Sequence, residues 1–268
     1  LTIYLLFNYL LKNRIIKIKE LIYEKNENTK KYNPIIILLS FIFVIFIFIE
    51  FFSISFSFSK YILDQGHDGA HLTPFQNYLT TKNFWISSFL THGASDIFYP
   101  LLTWKVFGVN SIGSMRTAPV FLILFIKLLS VLLSYQFTKI SKLKDNTKIL
   151  FFTIFTSLLL SMSHYSFLGA SYYISHKDIY IILFLIFFIE LFVNSKLKYL
   201  CLILICLLAT ISIFVQIDRG AYIFFILAFY SLYLIASKKY YDFALIFFSL
   251  IIFLFILINL MRLEEFTA

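Results

Sequence analysis

Apolar residues in this chain come in seven blocks of roughly 17–24 residues, separated by short polar stretches. That spacing restricts the fold more than any single residue does. A helix needs about 20 apolar residues to cross the hydrocarbon core of a bilayer. In lipid, only helices and closed barrels satisfy all of their backbone groups. The blocks lack the period-two alternation of barrel strands. The expected fold is therefore all-α, a polytopic transmembrane bundle with spans at 34–57, 117–138, 149–165, 178–194, 199–217, 221–237 and 243–261. The charged fraction of 14% agrees with this, since a soluble domain usually carries about 25%.

Charge placement sets the expected orientation, because cytoplasmic loops collect Lys and Arg. With the N-terminus in the cytoplasm, the inside segments are 12–33, 139–148, 195–198 and 238–242. They hold 15 of the 23 basic residues, although the outside segments are longer in total. Seven basic residues fall outside and Lys127 falls within a span. Topology thus accounts for the net charge of +9, and no nucleic-acid partner is needed. No internal repeat and no second soluble domain is evident. The chain divides into a cytoplasmic or interfacial segment, 1–33, and a transmembrane module, 34–268, whose long first outer loop is 58–116. The run Leu1–Leu11 is too short to span and has no small-residue cleavage site, so it reads as an interfacial helix or part of a span rather than a signal peptide. Cys201 and Cys206 lie five residues apart inside one apolar block, a spacing that suits buried thiols rather than zinc or a disulfide.

The rarer residue types gather in the outer loop. Five of the seven glycines lie between Gly66 and Gly113, and the same loop holds Trp85, Trp104, His67, His71, His92, Asp64, Asp68 and Asp96. A loop this long in a compact protein is usually functional or disordered, and its aromatic content argues against disorder. Helices are predicted near 70–81 and 95–107. In the second, Phe98, Leu101, Leu102 and Val106 recur at intervals of three and four and form one apolar stripe, as in a helix lying in the membrane interface. In the segment Asp64–His71, a helix would bring positions 64, 67, 68 and 71 to one face. Three readings stay open there. Asp64, His67, Asp68 and His71 could bind a divalent metal. Asp68 could act as a general base on an acceptor hydroxyl. The polar side chains could simply cap a helix start.

The ordered set of stretches from 64 to 120 resembles the first outer loop of GT-C superfamily membrane glycosyltransferases, in particular the dolichyl-phosphate-mannose-protein mannosyltransferase-like branch. The residues that carry the resemblance are His67-Asp68-Gly69-Ala70-His71-Leu72, Asn77-Tyr78-Leu79, Thr91-His92-Gly93, Pro100-Leu101-Leu102 and Phe107-Gly108 leading to Arg116. Farther on, His176-Lys177-Asp178 resembles the family's basic-x-Asp at the start of a later span. The family's acidic pair is replaced here by His67-Asp68. The resemblance implies transfer of a sugar from a polyprenyl-phosphate-linked donor to an acceptor on the outer face of the membrane, with inversion. It implies that Asp68 is the catalytic base, with Asp64 beside it. It places His67, His71, His92, Arg116, Asp178 and Arg219 as substrate-binding residues, of which Arg116 or Arg219 would steady the leaving lipid phosphate. The expected setting is a bacterial inner membrane and cell envelope, with membrane lipid and the lipid-linked donor as partners.

Outside the loop, Lys127 sits deep enough in its span to turn inward. Glu50 and Glu190 lie near span ends, where they are expected to reach the interface. Asp218 and Arg219 are expected to pair, and His164 and His176 to be ordinary interfacial residues. Two other functions remain: a transporter or flippase for lipid-linked glycans, which would need polar groups facing one another within spans, and a non-catalytic membrane protein.

Overall fold

The computed structural model describes residues 33–54, 65–82, 94–108, 111–141, 143–163, 165, 174–193 and 195–260. Their regular structure is helical: α1 (Pro34–Ser53), α2 (Gln65–Thr81), α3 (Ser95–Phe107), α4 (Ile112–Ile140), α5 (Asp145–Met162), α6 (Ile179–Val193), α7 (Lys198–Val215), α8 (Ile217–Ala236) and α9 (Tyr240–Leu260). Short 3-10 turns at His176–Asp178 and Ser195–Leu197 lead into α6 and α7. The expected run Leu1–Leu11 and the chain end after Leu260 lie outside the described residues.

Local chemistry explains several helix boundaries. The Asn33 side chain accepts from the Ile35 N–H at 3.0 Å and Pro34 opens α1, so an otherwise orphaned donor is satisfied where proline costs nothing. At α4, Ser111 and Ser114 cap each other reciprocally. Helix α3 stops at Gly108, whose φ of 64° is left-handed.

Five helices are long and apolar enough to cross a membrane: α1, α4, α7, α8 and α9. Their outward faces are strongly apolar, with Phe41, Phe52, Phe225 and Phe255 all exposed. A soluble protein rarely shows such continuous apolar surface, whereas lipid covers it without cost. Helix α5 spans 18 residues and α6 only 15. At 1.5 Å per residue, α6 is about 22 Å long, against about 30 Å of hydrocarbon.

Helix α4 is the spine. It packs against α1, α3, α5 and α6, while α7 packs against α6, α8 and α9. Three apolar clusters fill the seams: Ile47, Phe51, Leu124 and Phe152 between α1, α4 and α5; Ile123, Ile126, Ile182 and Ile186 between α4 and α6; and Phe184, Leu202, Ile205, Ile223 and Ile246 among α6 to α9. Cys201 and Cys206 are free thiols buried in the last cluster, as their spacing implied.

The bundle has two distinguishable ends. At one, the starts of α3, α6 and α8 meet the end of α7. At the other, the α4–α5, α6–α7 and α8–α9 connections lie together, tied by Gln136 to Glu190 and by Lys198 to Asp242.

Candidate functional site

The α6–α8 corner is built around one carboxylate. Asp178 closes the turn before α6: its Oδ2 accepts the Ser175 backbone N–H at 2.7 Å and the Ser175 hydroxyl at 3.3 Å. Its Oδ1 accepts from Arg219 Nε at 2.6 Å, across to the first turn of α8. Arg219 Nη1 donates to Asp218 at 2.7 Å. The expected Asp218–Arg219 pair is therefore present, with Asp178 as a second partner. Two carboxylates on one guanidinium leave the cluster with a formal excess of one negative charge and fix the arginine in place. A guanidinium has five N–H donors, so further donors remain for a ligand oxygen.

Backbone packing positions this cluster. Only Gln216 separates α7 from α8. A Cβ added at Gly220 would lie 2.3 Å from the Ile213 Cα, so the two helices meet at a contact that only glycine permits. The Ala94 N–H donates to the Phe214 carbonyl at 2.8 Å, which attaches the start of α3 to the same corner. From there α3 runs across to α4, where Trp104 Nε1 donates to the Ser111 carbonyl at 3.0 Å. Helix α2 packs on α3, with Phe75 edge-to-face on Trp104 at 4.5 Å.

The predicted helices near 70–81 and 95–107 are present as α2 and α3. Of the stripe Phe98, Leu101, Leu102 and Val106, Leu101 is half-buried and the other three are exposed away from the bundle, while Ile97, Pro100 and Thr103 face inward. Outward apolar residues suit a helix lying against lipid.

The expected site residues divide into three groups. Asp178 and Arg219 are brought together as above. Arg116 lies early in α4 and is 4% exposed, so it is a buried residue of the helix start rather than a loop side chain. His67, Asp68 and His71 fall on the first turns of α2, where their spacing assigns them to one side of the helix. Asp64 and His92 lie outside the described residues, as do the side chains of His67, Asp68 and His71. Among the described residues no group of three or more His, Cys, Asp or Glu side chains could hold a metal ion.

Three residues expected at the interface make contacts within the bundle. Both carboxylate oxygens of Glu50 accept from Lys127 Nζ at 2.7 Å. The Lys127 side chain is 3% exposed, and its ammonium also lies 4.4 Å from the centre of the Tyr165 ring. Glu190 accepts from Gln136 Nε2 at 3.3 Å, joining α6 to α4. His176 is buried at 4% exposure, edge-on to the Tyr99 ring at 6.0 Å, not interfacial. The one sequence signal for the first pair was the cost of an unpartnered lysine inside a span. Its partner, 77 residues away, becomes visible only once α1 is packed on α4.

No protein-family model matches the chain, and no curated protein or solved structure matches it.

Proposed function

We propose that the chain is a membrane glycosyltransferase of the GT-C type. It would cross the membrane seven times, with α5 and α6 as the two shorter spans and the N-terminus in the cytoplasm of a bacterial inner membrane. The observation that carries this reading is the Asp178–Arg219 pair. It stands at the end of the bundle to which α3 is attached, and α3 in turn supports α2, the helix that bears Asp68. A half-buried guanidinium held in place by two carboxylates keeps further N–H donors for phosphate oxygens. In the proposed step, Asp68 takes the proton of an acceptor hydroxyl, with Asp64 beside it. The acceptor oxygen attacks the anomeric carbon, the bond from that carbon to the phosphate oxygen breaks, and the lipid phosphate leaves with the electron pair. Arg219 and Arg116 would face the departing phosphate, and His67, His71 and His92 would line the acceptor side. A divalent metal, where one takes part, would be held by Asp64, His67, Asp68 and His71.

A second reading, a transporter or flippase for lipid-linked glycans, has its own support. The Glu50–Lys127 and Gln136–Glu190 contacts are polar pairs between membrane helices, which that function needs. One experiment separates the two. The full chain, reconstituted in vesicles with a labelled polyprenyl-phosphate sugar, is expected to move label onto an added acceptor. Label that crosses the bilayer still attached to its lipid would favour the transporter. Label that is neither transferred nor carried across would favour a non-catalytic membrane protein.

A further inference from the structure

At the end of the bundle opposite Asp178, the start of α7, the α8–α9 turn and the start of α9 build a basic, tyrosine-rich patch. Lys198 Nζ donates to Asp242 Oδ2, linking α7 to α9. Asp242 is 4% exposed, so the acidic charge it brings to the patch is buried and neutralised. Lys238 and Lys239 form the turn itself. Their N–H groups donate to the Ile235 and Leu234 carbonyls and close α8, with Lys238 in the left-handed region at φ 57°. Both lysine side chains are exposed, and among the described residues neither has a carboxylate partner. Around them stand Tyr233, Tyr240, Tyr241 and Tyr199, each about half exposed or more. Lys239 Nζ lies 5.7 Å from the Tyr233 ring centre, and Tyr199 meets Tyr241 edge-on at 5.6 Å. Beyond this collar, Phe229 and Leu232 of α8 and Phe248 of α9 are exposed apolar surface.

Each part of that arrangement matches a part of a phospholipid. Tyrosine rings settle at headgroup depth. Lysines beside a membrane helix attract anionic headgroups. The apolar faces below would meet acyl chains. We propose that this patch binds the headgroup phosphate of an anionic phospholipid: Lys238 and Lys239 meet the phosphate, the Tyr240 and Tyr241 hydroxyls donate to it, and the acyl chains lie along α8 and α9. The proposal does not depend on the transferase reading.

The test uses the full chain in phosphatidylcholine nanodiscs titrated with phosphatidylglycerol, with bound lipid read by native mass spectrometry. One lysine near an anionic headgroup is worth about 5-fold in affinity, so the Lys238→Asn, Lys239→Gln variant is expected to bind about 25-fold more weakly. Asn is chosen at 238 because it tolerates positive φ. A control, Lys139→Gln with Lys144→Gln, removes the same charge from exposed positions at the same end and is expected to stay within about 2-fold. Both variants should keep the helical circular dichroism and thermal midpoint of the unaltered chain in phosphatidylcholine. Equal losses in the two variants would reduce the effect to a diffuse basic field and overturn the site. Unchanged binding in the Lys238–Lys239 variant would overturn it as well. Soluble glycerol phosphate binding as tightly as the lipid would show a free-anion site instead.

Discussion

Lys127 illustrates how one residue in lipid forces a partner. Its ammonium is almost fully covered, and an unpaired charge at the centre of a membrane helix costs about 2.5–3.5 kcal/mol by insertion scales. Glu50 removes that cost with a two-oxygen contact, although its own side chain is 50% exposed. Breaking a buried pair costs about 3–5 kcal/mol, and an exposed pair contributes about 0–1. Glu50→Gln should fall between these, at about 1–3 kcal/mol by the same scales. Lys127→Met combined with Glu50→Gln should recover most of the loss, because the stranded ammonium is then gone. Thermal unfolding of the four proteins in one detergent measures the cycle. Simple additivity of the two single variants would mean that the pair does not couple.

Two elements position the candidate site, and each can be tested alone. The α7–α8 hairpin depends on Gly220, where any Cβ meets the backbone of Ile213 and Ser212 rather than a side chain that could swing aside. Overpacking usually costs about 1–3 kcal/mol, so Gly220→Ala should lower the thermal midpoint and loosen the Asp178–Arg219 contact next to it. A midpoint equal to that of the unaltered chain would mean the helices part without strain. Helix α3 presents Phe98, Leu102 and Val106 outward. An environment-sensitive fluorophore on Leu102→Cys should therefore emit as in an apolar medium when the chain is in vesicles. Emission typical of water would detach α3 from the membrane surface. The existence of α2 and α3 was legible because turn residues bracket each stretch and the apolar spacing is local. The apolar stripe of α3 was legible from its spacing, whereas its direction is set by Ile97, Pro100 and Thr103 packing inward. The residues that meet across elements were not: Asp178 finds Arg219 41 positions later, and Glu50 finds Lys127 through the packing of α1 on α4, neither of which leaves a periodic trace. The burial of His176 leaves no local trace either, because it comes from α4 and α6 packing on its turn and from the Tyr99 ring of α3.

For the whole molecule, the central matter is which end faces which side, and where chemistry occurs. Among the described residues the end with Lys139, Lys144, Lys148, Lys196, Lys198, Lys238 and Lys239 is the more basic, and the end with Asp178 and Arg219 is the opposite one. Cysteines introduced at the exposed positions Thr81 and Asp145 report this directly. An impermeant reagent added outside should label Thr81→Cys and leave Asp145→Cys untouched; the reverse pattern would place the candidate site in the cytoplasm. The most direct measurement of the proposed activity is the rate of sugar transfer from a polyprenyl-phosphate donor by the unaltered chain and by Asp68→Asn. That substitution keeps the side chain's shape and removes the base, and general-base assistance is worth about 10²–10⁴-fold. The expected result is a fall of at least about 100-fold with insertion into the membrane unchanged. Transfer by the Asp68→Asn chain at the unaltered rate would contradict it.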